Sequence, residues 1–242
     1  MFDPFRDFHT AGYLRNFAGE KDPDIVKMAE HELFRANLPD AVGYLVRRKI
    51  ITYPDFLKVH EILFKGFYPW AGKDRIQIAP DRSINKGETV FASPPDAVRA
   101  VTHGLRLGQD APSMRARPGE VMGLFAFGHP FLDGNGRTML LVHAELCRRA
   151  GFSILWQNTS KAAYLRALTL EIASPAERPL DAYLLQFVGE VQEKEGWLRS
   201  ANALQGLDGG RAPDQIGGDF SDPAVIAQYR QFERQRGYEL KG

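Results

Sequence analysis

The segment Val121-Met122-Gly123-Leu124-Phe125-Ala126-Phe127 is apolar almost all round. A helix with one apolar stripe can lie on a surface, but one without a polar face must be enclosed. A chain that contains it is expected to fold as a helical bundle with that helix at the centre. The remaining patterns supply neighbours. Pro23 sits just inside a helix start after Asp22, and Ile25, Met28, Ala29, Leu33 and Phe34 keep helical spacing. Tyr53-Pro54-Asp55 opens a second helix, with Phe56, Val59, His60, Leu63 and Phe64 on one face. Further helices are expected over about 95–107, 138–150, 160–173, 180–204 and 223–236, and the helix over 138–150 stops at Gly151 in the C′ position.

Residues 74–95 change character. Arg75-Ile76-Gln77-Ile78-Ala79 and Thr89-Val90-Phe91-Ala92 alternate like short strands, and the Pro80–Gly87 stretch between them is rich in turn residues. That reads as a β-hairpin, which is marginal alone and would lean on the helices as a flap. A polar loop is expected through Pro112 and Pro118. The glycines from Gly206 to Gly218 read as a flexible link. The expected organisation is a main domain over 1–205, a Gly-rich linker over 206–222 and a helical tail over 223–242. The class is mainly α.

Composition excludes several functions. The 242 residues carry 31 Lys+Arg against 30 Asp+Glu, a net charge of +1, so no broad basic face for nucleic acid is expected. No run approaches the ~18 apolar residues of a membrane span. Met1-Phe2-Asp3-Pro4-Phe5-Arg6-Asp7 has no basic region leading into an apolar one, so the cytoplasm is the expected location. Delivery into another cell by a dedicated secretion system stays open. The lone Cys147 rules out an internal disulfide and a cysteine-built zinc site.

One stretch carries chemistry: His129-Pro130-Phe131-Leu132-Asp133-Gly134-Asn135-Gly136-Arg137. It links the apolar helix to the next. Gly134 and Gly136 let a backbone approach a ligand closely, and the free N–H groups of the following helix start form an anion site. Arg137, in the first turn, can grip phosphate oxygens bidentately. Asp133 is a hard oxygen ligand suited to Mg²⁺. His129, with an ordinary pKa of ~6.5, suits accepting a proton from a hydroxyl near neutral pH. Each residue alone has a commoner structural role; nine residues that combine them at a helix–loop–helix junction point to phosphate chemistry.

This stretch resembles the signature of the Fic (Fido) family, H-P-F-x-[DE]-G-N-G-R, and matches it through Arg137. Tyr68-Pro69-Trp70-Ala71-Gly72 resembles the family's segment before its flap, and Ile84-Asn85-Lys86-Gly87 with Phe91-Ala92 the flap itself. Leu14-Arg15-Asn16 and Asp22-Pro23-Asp24 resemble its N-terminal helices, so the likeness covers roughly 10–200. The resemblance implies a Fic-type helical bundle with a β-hairpin flap, and transfer of AMP from a nucleotide to a Ser, Thr or Tyr hydroxyl of a target protein. It implies His129 as general base and Asp133 as the ligand of Mg²⁺. It makes the backbone of Gly134, Asn135 and Gly136 an anion hole, with the Asn135 side chain orienting a phosphate. Arg137 would bind the β-phosphate, and ATP or another nucleotide would be the co-substrate. Phe131 would be a core anchor. Ile84, Asn85, Lys86 and Gly87 would hold the target by strand addition.

The chain departs from that pattern at Leu140, where active members carry a second Arg that contacts the γ-phosphate. Leu140 would sit one turn from Arg137, beside the phosphate site. A slow enzyme, a donor without that phosphate, or substitution by Arg148, Arg149 or another base would each follow. The family's inhibitory sequence [ST]-x-x-x-E-[GN] has its nearest counterpart in Val191–Gly196, which lacks the hydroxyl residue and reads as part of a core helix, a pattern consistent with a separate antitoxin or regulator. Two other readings remain: a Fic-fold transferase of another phosphate-containing group, and a weakly active interaction module. Gly136 argues against the kinase-like branch, which has Lys there. His60, His103 and His143 read as packed or surface histidines, Trp156 and Tyr164 as core, Cys147 as a small buried residue, and Arg230, Arg234 and Arg236 as a solvated helix face.

Overall fold

The computed structural model describes residues 16–87, 89–192 and 215–237. Helix α6 (Pro118–Gly128) is the hub: each of its residues is buried. Around it pack α4 (Pro94–Gln109), α7 (Asn135–Arg149), α8 (Lys161–Ala173) and α9 (Pro179–Leu184). The apolar run thus does what its lack of a polar face requires. At its N-terminal end the Asp181 carboxylate accepts the backbone N–H of Gly119 at 2.6 Å, so a side chain from α9 caps the buried helix. Gly119 is needed there, because a Cβ would collide with the backbone at Leu180 and Asp181.

Helices α1 (Pro23–Val46) and α2 (Tyr53–Phe64) form a second layer against α7. Asp22 caps α1, accepting from Asp24 N–H at 2.9 Å, ahead of Pro23. The Asp55 carboxylate reaches back to the Thr52 N–H at 2.8 Å and starts α2. The buried residues of α2 include the face read from the sequence, Phe56, Val59, His60, Leu63 and Phe64. The fold is mainly α, with small sheets.

Several local expectations are corrected. Arg75–Ile78 is not a strand but a one-turn helix, α3, because Asp74 caps it by accepting the Gln77 N–H at 3.1 Å. The first flap strand, β1, is Arg82–Lys86, inside the stretch read as turn; β2 is Thr89–Val90, pairing antiparallel with β1 at Asn85↔Val90 and Lys86↔Thr89. The loop before Pro118 contains helix α5 (Ala111–Ala116), capped by Asp110. After α9 the chain pairs Val188–Gly189 (β4) with Ser153–Ile154 (β3) rather than continuing as a helix, and 193–204 lie outside the described residues.

The largest difference lies in the segment read as a linker. Residues 206–214 are outside the described residues, but Gln215–Asp219 is a strand, β5, antiparallel to β1 from Arg82↔Asp219 to Asn85↔Gln215. The flap is therefore a three-stranded sheet in the order β2-β1-β5. The last helix, α10 (Pro223–Arg236), follows as expected, but Arg236 is not on a solvated face. Its guanidinium lies 3.4 Å from the Phe127 ring centroid, and its Nε donates to the Ile172 carbonyl at 2.8 Å. Among the described residues, no helix is long and apolar enough to cross a membrane.

Candidate active site

The hub helix ends at His129, in the left-handed region at φ 42°, ψ 56°. A β-carbon makes that conformation costly, so the surroundings must impose it. Two groups do. The Phe91 ring, just past β2, stacks on the imidazole with centroids 3.8 Å apart and planes 12° apart. Arg75, fully buried, donates from Nε to the His129 carbonyl at 2.8 Å and from Nη2 to the carbonyls of Ala92 at 2.7 Å and Gly128 at 3.1 Å. One guanidinium thus satisfies the last carbonyls of the helix and ties them to the root of the flap.

From His129 the chain turns into α7, whose N-cap is Gly134 at φ 75°. A Cβ there would lie 2.5 Å from the Phe64 ring and 3.1 Å from His60 Nε2, so glycine is demanded by space as well as by φ. His60 fixes the loop from below. The Gly72 N–H donates to its Nδ1 at 2.9 Å, which leaves the proton on Nε2, 3.0 Å from the Asp133 carbonyl. Its ring also stacks on Phe131 at 3.8 Å. Burial pushes its pKa down to about 3, so it remains a neutral donor at working pH. This histidine is packed, as its apolar surroundings suggested, yet it also holds the motif.

The Asp133 side chain is about half exposed, at 47%, and its Oδ1 accepts the Gly134 N–H at 2.6 Å. The first N–H groups of α7, at Asn135, Gly136 and Arg137, follow directly, and a helix start of this kind leaves backbone donors for an acceptor outside the helix. The Asn135 side chain has a different job from the one implied by resemblance. Its Oδ1 accepts the Phe131 N–H at 2.9 Å and its Nδ2 donates to the Phe131 carbonyl at 2.8 Å, so it locks the loop instead of facing a phosphate. Phe131 is fully buried, the anchor expected.

Arg137 is buried on the inner side of the loop. Its Nη2 pairs with Glu30 of α1 at 2.6 Å, and the guanidinium carbon lies 4.8 Å from the Phe64 centroid and 5.6 Å from that of Phe34. Burial, then the nearby Asp133 charge, raise the Glu30 carboxyl to about 7, against the opposing pull of Arg137. The bidentate grip expected of Arg137 is thus already partly committed.

Leu140 belongs to the hydrophobic core at 8% exposure. Neither Arg148 nor Arg149 replaces the missing cation. Both pair with Glu145 at 2.7 Å, and they lie eleven and twelve residues beyond Arg137, roughly 17 Å along the helix. Of the Val191–Gly196 stretch, Val191 and Gln192 are in no helix and the rest lies outside the described residues, as do Leu14 and Arg15. His103 and His143 are buried, the latter 2.8 Å from the Pro118 carbonyl; Cys147 is buried beside it, and Trp156 packs edge-on against Tyr164 in the core. In the flap, Ile84 is buried, Asn85 and Lys86 are half-buried, and Gly87 is exposed at φ 59°.

Sequence reasoning missed Arg75 and Glu30. Asp74-x-x-Gln77 is a helix-start pattern that could have moved Arg75 out of a strand. Nothing local marks Glu30, whose partner is 107 residues away.

Among the described residues, no group of three or more His, Cys, Asp or Glu side chains is placed to hold a metal. A single half-exposed carboxylate still fits Mg²⁺, which takes one or two carboxylates and completes its shell with phosphate oxygens and water. Asp133 is the residue that would hold it.

A buried helix that ends in a histidine, followed at once by a glycine-capped helix start, defines a helical-bundle fold in which one helix–loop–helix junction gathers the histidine, the carboxylate and the arginine of the sequence motif. Residues 50–147 match the Fic/DOC family model, and the chain belongs to that family. Protein adenylyltransferase VbhT of Bartonella schoenbuchensis is 31% identical over 168 residues, which cover 68% of this chain and 35% of that protein. The chain thus spans about a third of that relative's length. The fold is shared with BepC of Bartonella tribocorum, solved with AMPPNP, at a TM-score of 0.61 and 19% identity over 74% of this chain and 93% of that one. It is shared equally with the N-terminal Fic domain of a Bartonella quintana effector, solved with ADP, at 0.61 and 20% over 76% and 94%.

Proposed function

We propose that this protein is a Mg²⁺-dependent nucleotidyltransferase that moves a nucleoside monophosphate, AMP first among them, to a Ser, Thr or Tyr hydroxyl of a target protein. The observation that carries this reading is the loop itself: a histidine held at one end and an open helix N-terminus with Arg137 at the other. Likeness to an adenylyltransferase supports the choice of group transferred. In this reading the target oxygen bonds to the α-phosphorus as the bond from that phosphorus to the bridging oxygen breaks. The hydroxyl proton passes to His129 and pyrophosphate leaves. The α7 N-terminus and Arg137 stabilise the charge, and positioning supplies most of the rate. Mg²⁺, when bound, neutralises phosphate charge beside Asp133.

Since β1 is paired on both edges, the target strand would add to an outer edge of the sheet or take the place of β5. The setting is a cytoplasm, either its own cell's or, as for the VirB-translocated effectors that share the fold, a recipient's, and control falls to a separate antitoxin or regulator.

The test is incubation of the full chain with a target lysate, Mg²⁺ and ATP labelled at the α- or the γ-phosphate. Protein-bound α-label that falls about 100-fold or more in His129→Ala is the expected result. Label from γ alone overturns nucleotidyl transfer in favour of phosphorylation.

The core position of Leu140 favours a second reading, a donor other than ATP, because that position brings no second cation to a γ-phosphate. α-Labelled CTP, GTP and UTP, and nucleotide-diphosphate-linked donors, separate it from the first. No transfer from any of them moves the chain to an interaction module.

A further inference from the structure

We propose that Glu30 is the positioning residue for Arg137, fixing the guanidinium through a hydrogen bond while its negative charge restrains how tightly the site holds a nucleotide phosphate. The proposal rests on the reading of the loop as a nucleotide site. The contact is short, 2.6 Å from Nη2 to Oε1, and both side chains are at least nine-tenths buried. The guanidinium carbon lies 5.6 Å from the Phe34 ring and 4.8 Å from the Phe64 ring, and these two rings stack 6.4 Å apart as an aromatic wall that limits its movement. The Tyr68 hydroxyl lies beside the same carboxylate, so α1 and the Tyr68–Gly72 segment converge on it. Asp133 Oδ1 lies 4.0 Å from Nη2, on the loop side. The Arg137 Nε, buried, has no hydrogen-bond partner among the described residues.

Two effects follow, with opposite signs. A guanidinium already held needs no reorganisation when a phosphate arrives, which favours transfer. The carboxylate that holds it also competes with the phosphate for the same positive charge, which weakens binding. Glutamine separates them: its side-chain oxygen can still accept from Nη2, while the charge is gone. Alanine removes both and leaves a buried arginine without its partner.

At pH 8.5, above the value of about 7 to which the Glu30 carboxyl is raised, the full-length Glu30→Gln and Glu30→Ala variants are compared with wild type for the ATP Kd by calorimetry, for kcat and KM, and for melting temperature. Glu30→Gln is expected to lower Kd roughly five-fold, the size of a partly screened charge pair. It is also expected to retain at least about ten times the kcat of Glu30→Ala, as a fixed guanidinium requires. A Glu30 that merely braces the fold would lower the melting temperature in both variants, with Kd and kcat of the folded protein as in wild type, and that overturns the proposal. Should Glu30→Ala not fold, a Kd for Glu30→Gln equal to or weaker than wild type overturns it alone. Wild type that binds no nucleotide brings down the phosphate-site reading and this proposal with it; wild type that binds while the variants match it brings down only the proposal.

Discussion

The motif loop and the flap both bear on His129, but they are held in different ways. The loop is locked by buried side chains: Asn135 on Phe131, His60 on the Asp133 carbonyl, Glu30 on Arg137, and Phe64 against Gly134. The flap is held by backbone pairing, two residues of β2 on one edge of β1 and β5 on the other. Side-chain locks in a dry interior fix positions tightly; a ladder of only a few backbone pairs can open and re-pair at lower cost. The difference matches the two demands of group transfer to a protein. The phosphate end must be preorganised, while the end that meets a polypeptide must yield to it. Arg75 couples them, since one guanidinium holds the carbonyls of His129 and Ala92 together.

Two glycines break the comparison most directly. Gly134 and Gly87 have nearly the same positive φ, 75° and 59°, so alanine costs each about 1–2 kcal/mol of backbone strain. Of the two, only Gly134 is also enclosed: its added carbon would sit 2.5 Å from Phe64, whereas at Gly87 nothing among the described residues lies within 4 Å. Overpacking brings the total for Gly134→Ala to about 2–4 kcal/mol. Chemical denaturation is expected to show that gap, and Gly134→Ala is expected to lose about 100-fold or more of label transfer as the α7 N-terminus shifts. Equal stability losses at the two positions would mean that the loop is no more tightly packed than the flap.

What the sequence revealed follows the same division. The loop was legible because its function depends on consecutive residues, each with its own chemistry, from His129 to Arg137. The hub helix was legible because seven apolar residues leave no exposed face. The braces were not: Glu30, His60 and Arg75 reach partners 107, 73 and 54 residues away, and pairings at that range leave no periodicity. The first flap strand was placed about seven residues early, since the alternation of Arg75–Ala79 also fits a single helical turn and Asp74 caps that turn. Strand β5 was hidden by its glycines, which read as a link although antiparallel pairing to β1 accommodates them, with a register shift at Ser83/Ile84.

The contribution of β5 can be isolated. Ile216→Pro fixes φ and removes a backbone donor within the strand. Hydrogen exchange at Arg82–Asn85 is expected to speed up about ten-fold, with protection of Asn135–Leu140 as in wild type. KM for a protein target would change, in either direction, while the nucleotide Kd stays put. Faster exchange in α7 as well would show that the flap and the loop are one cooperative unit and dissolve the distinction drawn between them.

The smallest effect separates the two regions by acid. His60 titrates at about 3 in the folded protein against an ordinary value of 6.5, so its folded pKa is depressed. Below pH 6.5 the unfolded chain takes up a proton that the native chain refuses, and stability is lost progressively down to about pH 3. His143, pushed to about 4, acts in the same direction, whereas Glu30 and Glu171, raised to about 7, lose stability as pH rises from 4.5. The opposing contributions are shared by wild type and His60→Gln, so their difference isolates one histidine. Glutamine can still donate to the Asp133 carbonyl and does not titrate. From pH 6.5 to 5.5 the stability advantage of wild type over His60→Gln is expected to shrink by about 1 kcal/mol, because the unfolded wild-type chain alone gains that proton. Hydrogen exchange should place the change at Phe131–Arg137, and the β1 strand, with no histidine among Arg82–Lys86, should not follow. A difference that stays constant with pH would mean that His60 is solvated well enough to titrate normally, and the loop would then lack the dry floor that sets it apart from the flap.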